Sequence, residues 1–318
     1  PPPPPPPPPP PSHPQAGTRD SFIGLVGSEM CIRDRRWSIF FKFLVFAYIT
    51  FILFMFSEPD ITSATIKNHS ALVELQGIIA DGESASADNI VSALRSAFED
   101  EKTEGVILRI NSPGGTPVQA GYIYDEIVRL REKYPDTELY AVVSDMAASG
   151  GYYVASAADE IYASNSSIVG SIGVRMDSFG VVDAMEKLGI ESRTISAGEH
   201  KTLMDPFAPV DEKAKIHLQS MVDEIHNQFI DAVKKGRGDR LKESDDLFTG
   251  LIWTGKDALE FGLVDKIGSA SYVAREVIGA EDIVEYTVEE DVLARLVDRF
   301  GVSAGKILSK EYFSPRLN

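Results

Sequence analysis

The chain has 318 residues, 43 % of them hydrophobic, which is enough to bury one large core or two small ones. Its 31 Lys and Arg stand against 48 Asp and Glu, a net charge of -17, so it lacks the phosphate-neutralising surface that nucleic-acid binding needs. One cysteine, Cys31, excludes an intramolecular disulfide framework or a zinc site of several thiolates, and five histidines without an HExxH pair argue against a two-histidine zinc hydrolase; no metal or cofactor is expected.

Eleven prolines open the chain, followed by SHPQAGTRDSFIGLVGSEMCIRDR, a stretch with no periodicity. Residues 1–36 read as a polyproline II spacer or a translated cloning scar and stand apart from the fold. Residues 37–56, WSIFFKFLVFAYITFILFMF, form a twenty-residue apolar block. At about 1.5 Å per residue such a block covers the roughly 30 Å hydrocarbon core of a bilayer. Lys42, near its start, can snorkel to the headgroups. Arg33, Arg35 and Arg36 precede the block while Glu58 and Asp60 follow it, so the positive-inside rule places the N-terminus in the cytoplasm. The expectation is an uncleaved single-pass anchor, with everything after it outside, in a bacterial inner membrane. Residues 57–69 are a linker.

From residue 70 to about 280, strand-like runs alternate with helix-like ones. SALVELQGIIA precedes NIVSALRSAFED, GVILRI precedes QAGYIYDEIVRLREKY, and LYAVVSD precedes GGYYVASAAD; EIYAS and SIVGSIGV follow. This alternation predicts an α/β domain with a mainly parallel sheet covered by helices. Beyond residue 210 the pattern is mostly helical, with a short strand at LVDKIG. Residues 281–318 are mixed and charged, and no periodicity places them.

Two strand-to-helix turns carry the chemistry. NSPGG, Asn111 to Gly115, puts consecutive glycines where backbone N–H groups can face an oxyanion, although an ordinary Pro-Gly turn has the same spelling. It lacks the GKS/T ending of a phosphate loop. DMAASGGYY, Asp145 to Tyr153, holds Ser149 between small residues with Gly150 behind it, which suits a nucleophile and equally a helix N-cap. A serine nucleophile needs a base, and His200 and Lys201 stand side by side in the polar stretch SAGEHKTLMDPF. Histidine titrates near neutrality unaided, whereas lysine must be brought down from about 10.4 by burial, so the residues alone leave the choice open. Pro206 and Pro209 limit helix formation in that segment. Arg237-Gly238-Asp239 spells an adhesion tripeptide but reads as a helix stop.

Taken together, NSPGG, DMAASGGYY, SIVGSIGV and SAGEHKTLMDPF, in this order and at these separations, resemble the signal peptide peptidase A family, in its short single-repeat form. The resemblance runs from about Leu72 to Gly268. It implies a fold of the ClpP and crotonase superfamily, built of repeated ββα units and preceded here by one N-terminal transmembrane helix. It also implies a catalytic dyad of Ser149 and Lys201, thus preferring Lys201 over His200. Ser171 would orient the lysine, and the amides of Gly114 and Gly150 would form the oxyanion hole. A ring of protomers is implied in which the serine of one subunit meets the lysine of its neighbour, acting on hydrophobic peptides such as cleaved signal peptides. Two other readings stand beside it: an inactive membrane scaffold of the same fold, and a crotonase-like acyl-CoA enzyme.

Overall fold

The computed structural model describes residues 37–52, 67–242 and 244–287. It divides into two compact units, residues 1–65 and 66–318. In the first, residues 37–52 form helix α1, exposed along residues 37–51 and half-buried at Ile52. Among the described residues no helix is long and apolar enough to cross a membrane. Residues 53–56 of the expected span lie outside the described residues, as do the leader 1–36, linker residues 57–66 and tail residues 288–318.

The second unit is a mixed α/β sheet fold. Its strands are β1 (His69–Ile79), β2 (Thr103–Gly115), β3 (Leu139–Ala148), β4 (Glu160–Ala163), β5 (Ile168–Gly170), β6 (Ile252–Thr254), β7 (Lys266–Ile267) and β8 (Ile283–Glu285). They lie in the order β6-β5-β3-β2-β1-β8. The lower half of β3 pairs instead with β4, and β4 with β7. All pairings are parallel except β5 with β6. The central strands read as near-continuous apolar runs because both faces are covered. Alternation sorts them: Val73, Leu108, Ala141 and Val143 enter the larger core, while Leu72, Ile107, Tyr140 and Val142 enter a smaller one on the opposite face.

Helix α2 (Ala87–Glu99) buries Ile90, Ala93, Leu94, Ala97 and Phe98, the i, i+3, i+4, i+7, i+8 stripe of a core-facing helix. Helix α3 (Pro117–Lys133) starts with proline at its first position, where no N–H is needed, and buries Ala120, Ile123, Tyr124, Ile127 and Leu130. The short α4 (Gly150–Ala155) follows β3 directly. Helix α5 (Val182–Leu188) buries nothing, whereas α6 (Glu212–Arg237) lays Phe229, Ala232 and Val233 into the larger core. Helices α7 (Gly255–Glu260) and α8 (Ala270–Tyr272) come last, and α8 runs on as a π-helical turn, Val273–Ile278, over the smaller core.

Arg237 ends α6 and is 1 % exposed. Its guanidinium donates two bonds of 2.7 Å to Asp265 and one of 2.9 Å to the Gly262 carbonyl. Burial pushes the Asp265 carboxyl up, but the Arg237 fork outweighs it, so the group sits below the usual carboxylate range. The Arg-Gly-Asp tripeptide is therefore a helix terminus, with Gly238 at φ 52 as its cap and its arginine committed to the interior.

Candidate active site

Three strand ends converge on Ser149. The β2–β3 ladder slips between Ile110 and Ser112, opposite Val143 and Ala147, so β3 carries extra residues across the interval. A bulge of this kind re-aims a strand end. Here it is fastened by the Ser167 hydroxyl, which donates to the Ser144 carbonyl at 2.6 Å, and by Asn111, whose amide donates to Asp145 at 3.2 Å. Asp145 thus belongs to the bulge.

Ser149 is the single residue between β3 and α4, at φ 52 and ψ -122, a conformation side chains rarely adopt. It is held from both sides. Its N–H donates to the Gly170 carbonyl at 2.8 Å, and its carbonyl accepts the Tyr153 N–H at 2.9 Å. A strained serine at a strand-to-helix turn, hydroxyl exposed to a cleft, is the arrangement that nucleophilic serines use. The cleft has a volume of about 640 Å³, and its lining includes Ser149, Gly150, Gly114, Ser171, Tyr153 and Phe229.

Gly114 approaches Ser149 so closely that a Cβ on it would fall 2.8 Å from the Ser149 Cβ and 2.7 Å from the Gly150 nitrogen, and its φ of +100 also requires glycine. Gly150 opens α4, so its N–H has no intrahelical acceptor. The Gly114 N–H donates to the Ser112 hydroxyl at 3.1 Å. Ser171 also stands at positive φ, 54, and its N–H donates to the Leu251 carbonyl at 2.7 Å. The next residue, Ile172, gives its carbonyl to His226 Nε2 of α6 at 3.1 Å, which ties the Ser171 strand to the helix. Burial first, then Asp125 and Tyr124, pushes the Tyr153 phenol up, so it stays neutral and offers the cleft an O–H and an apolar ring.

The structure therefore brings Ser149, Gly150, Gly114 and Ser171 together. It does not bring Lys201 to them. Lys201 lies exposed on a tight turn, its N–H donating to the Gly198 carbonyl at 3.1 Å, and it does not line the cleft. A second cavity, of about 350 Å³, is lined by its neighbours His200, Thr202 and Met204 and by Ala214 and Leu218 of α6. The cleft uses Ile225 and Phe229 of that helix. Seven residues of helix, about 10 Å, separate Leu218 from Ile225. His200 is half-exposed too, with Nδ1 3.7 Å from Asp211, the N-cap of α6. Sequence reasoning missed Ser112, Tyr153, His226 and Phe229; the last three sit on helices whose positions only the packing reveals, while Ser112 lies in NSPGG, which is not the expected strand-to-helix turn but the end of strand β2.

Peptidase family S49 matches residues 132–283. A putative signal peptide peptidase SppA of Enterococcus faecium is 31 % identical over 249 residues, 74 % of this chain and 72 % of that protein. A putative protease of Methanocaldococcus jannaschii is 34 % identical over 206 residues, 63 % of this chain and 65 % of that protein. A Brucella abortus protein named Na(+)/H(+) antiporter NhaA is 37 % identical over 250 residues, 76 % of this chain but 34 % of that protein, so the chain spans about a third of its length. These likenesses place the chain in peptidase family S49. Within it, the chain belongs to the signal peptide peptidase A family.

Proposed function

We propose that this chain is a membrane-anchored serine endopeptidase that cuts hydrophobic peptides, cleaved signal peptides among them, outside the cytoplasm of a bacterial cell. The observation that carries the reading is Ser149 at positive φ beside Gly114, whose backbone alone fits there. Residues 37–56 supply the anchor, and the peptidase unit takes the repeated ββα form of the ClpP and crotonase superfamily. Tyr153, Ile225 and Phe229 give the cleft an apolar wall suited to an apolar side chain.

In this reading Ser149 Oγ attacks the scissile carbonyl as neutral Lys201 removes its proton. The N–H groups of Gly114 and Gly150 stabilise the oxyanion, the Lys201 ammonium then protonates the leaving amine, and water releases the acyl group. A lysine serves as base only where desolvation disfavours its ammonium form. Lys201 is exposed in the single chain, so the lysine completing each site comes from a neighbouring copy in a ring, buried as the ring closes and steadied by Ser171.

The test is cleavage of a fluorogenic apolar peptide by the full-length chain in detergent, alongside Ser149→Ala, Lys201→Ala and His200→Ala. Loss of cleavage in the first two and retention in the third are expected. Full activity in Lys201→Ala with loss in His200→Ala would reassign the base, and cleavage by Ser149→Ala would end the reading.

A further inference from the structure

The β1–β2 ladder slips between Gln76 and Ile78, which stand opposite Asn111 and Gly114, so β2 carries one residue more than β1 across the interval. Such a bulge leaves backbone groups without ladder partners. Ser112 lies inside it, fully buried. Its hydroxyl donates to the Gly77 carbonyl at 2.6 Å and accepts the Gly114 N–H at 3.1 Å. One side chain thus supplies both halves of the missing rung. The N–H it holds belongs to the glycine packed against Ser149.

We propose that Ser112 is a positioning residue of the oxyanion hole, whose hydroxyl holds the Gly114 N–H in the resting protein and yields it to the tetrahedral oxyanion. This rests on the reading of Ser149 as nucleophile. The physical ground is acceptor strength. A neutral hydroxyl at 3.1 Å, near the long end of the N–H···O range, competes poorly with a charged oxygen, whose hydrogen bonds are about twice as strong as neutral ones. The uncharged carbonyl of a bound peptide has no such advantage over the hydroxyl. The Gly114 donor is therefore engaged chiefly when charge develops, and an interaction made only in the transition state raises kcat and leaves KM alone.

The Ser112 bond to Gly77 gives the donor its direction. Gly114, at φ +100 and with no room for a Cβ, cannot be buttressed by a side chain of its own. Without the hydroxyl, the Gly114 peptide is free to turn away, and the site loses the preorganisation on which an oxyanion hole depends.

Two peptides of one apolar sequence test this on the full-length chain. One ends in an aldehyde, to which Ser149 Oγ adds reversibly, its proton passing to the base as the carbonyl becomes an oxyanion; the other ends in a primary amide, which only occupies the cleft. In Ser112→Ala, aldehyde affinity and kcat are expected to fall by about 10²-fold, comparable to losing one oxyanion donor. Amide affinity and KM should move by less than about threefold. Equal losses for both peptides would make Ser112 a structural plug and overturn the proposal, as would unchanged aldehyde affinity. Should thermal unfolding show Ser112→Ala to be unfolded, Ser112→Cys, similar in shape but far weaker in hydrogen bonding, takes its place with the same criteria. A wild-type chain that binds aldehyde and amide equally would overturn the nucleophile reading itself, and this proposal with it. With a wild type that discriminates between them, the variant tests the role of Ser112 alone.

Discussion

The surroundings of Ser149 and those of Lys201 are opposites. Around the serine, β2, β3 and α4 are packed to the point where single atoms decide: Gly151 has the Ser112 carbonyl oxygen 3.0 Å from where its Cβ would be, and Tyr152 is fully buried. Around the lysine, residues 174–211 run as an excursion in which Phe179 and Leu188 are each 73 % exposed and Ile195 99 %. Large apolar side chains left open in this number are what a monomer avoids and an interface uses. In the proposed reading, the serine half of the dyad is complete within a single chain and the lysine half requires a neighbouring copy.

Mixing two dead variants gives the largest effect expected from this contrast. Ser149→Ala retains its lysine and Lys201→Ala its serine, so each is inactive alone. Assembled together from equal amounts, they regain about a quarter of wild-type activity if each site draws its two residues from adjacent subunits around a ring. Verified co-assembly with no recovery would place both residues in one subunit and dissolve the contrast.

Within the packed region, Gly114→Ala forces a methyl group against Ser149 and Gly150 and is expected to lower kcat by 10²-fold or more, about the loss of one oxyanion donor. Its control is Gly121→Ala in α3, where a Cβ meets nothing within 4 Å; that change should leave kcat alone and add about 0.5–1 kcal/mol of stability by helix propensity. Equal activity in the two variants would show that the close approach to Ser149 has no catalytic meaning.

How far the sequence reveals all this follows the same division. The β/α alternation and the position of Ser149 between β3 and α4 were legible, because short apolar runs broken by small residues have few other solutions, whereas NSPGG, expected as a turn after the strand, forms the last five residues of β2 and pairs with β1. The Ser112 bridge was not, since a bulge is a register relation between two strands and neither strand spells it alone. Strand β8 was equally hidden: three residues, Ile283–Glu285, acquire their role only by pairing with β1, and Tyr286 secures them by donating its N–H to the Leu72 carbonyl. The burial of Arg237 could not be read either, because its partner Asp265 lies in a distant segment and charge patterning reports only near neighbours.

Truncations of similar chemistry should separate the two regions by stability. Leu108→Ala removes a fully buried side chain from β2 and is expected to cost about 2–5 kcal/mol, read as a lowered midpoint in urea. Ile195→Ala, at a site almost wholly in solvent, should stay within about 0.5 kcal/mol in dilute monomer while weakening self-association in sedimentation. If the two cost the same in the monomer, the excursion is packed after all.

The smallest effect concerns acid. Glu126 of α3 accepts 2.8 and 2.6 Å bonds from Arg129 and a 2.6 Å bond from Arg95 of α2, and its carboxyl is lowered to about 2, by Arg129 first, against the opposing pull of burial, and then by Arg95. A carboxyl lowered on folding stabilises the native state above its unfolded value, near 4.5, and that contribution is lost as pH falls toward about 2. Both arginines are about half exposed, so solvent screens the pairs and the gain is modest. Glu126→Gln should therefore flatten the fall in unfolding free energy between about pH 4.5 and 2 while lowering stability slightly at neutrality. The excursion has no comparable anchor in the ion pairs of Arg175 with Asp177 and Arg193 with Glu191, each two residues apart and solvent-exposed. Breaking either should change the unfolding free energy by less than about 0.5 kcal/mol, and a cost of Asp177→Asn as large as that of Glu126→Gln would mean the two regions share one electrostatic framework.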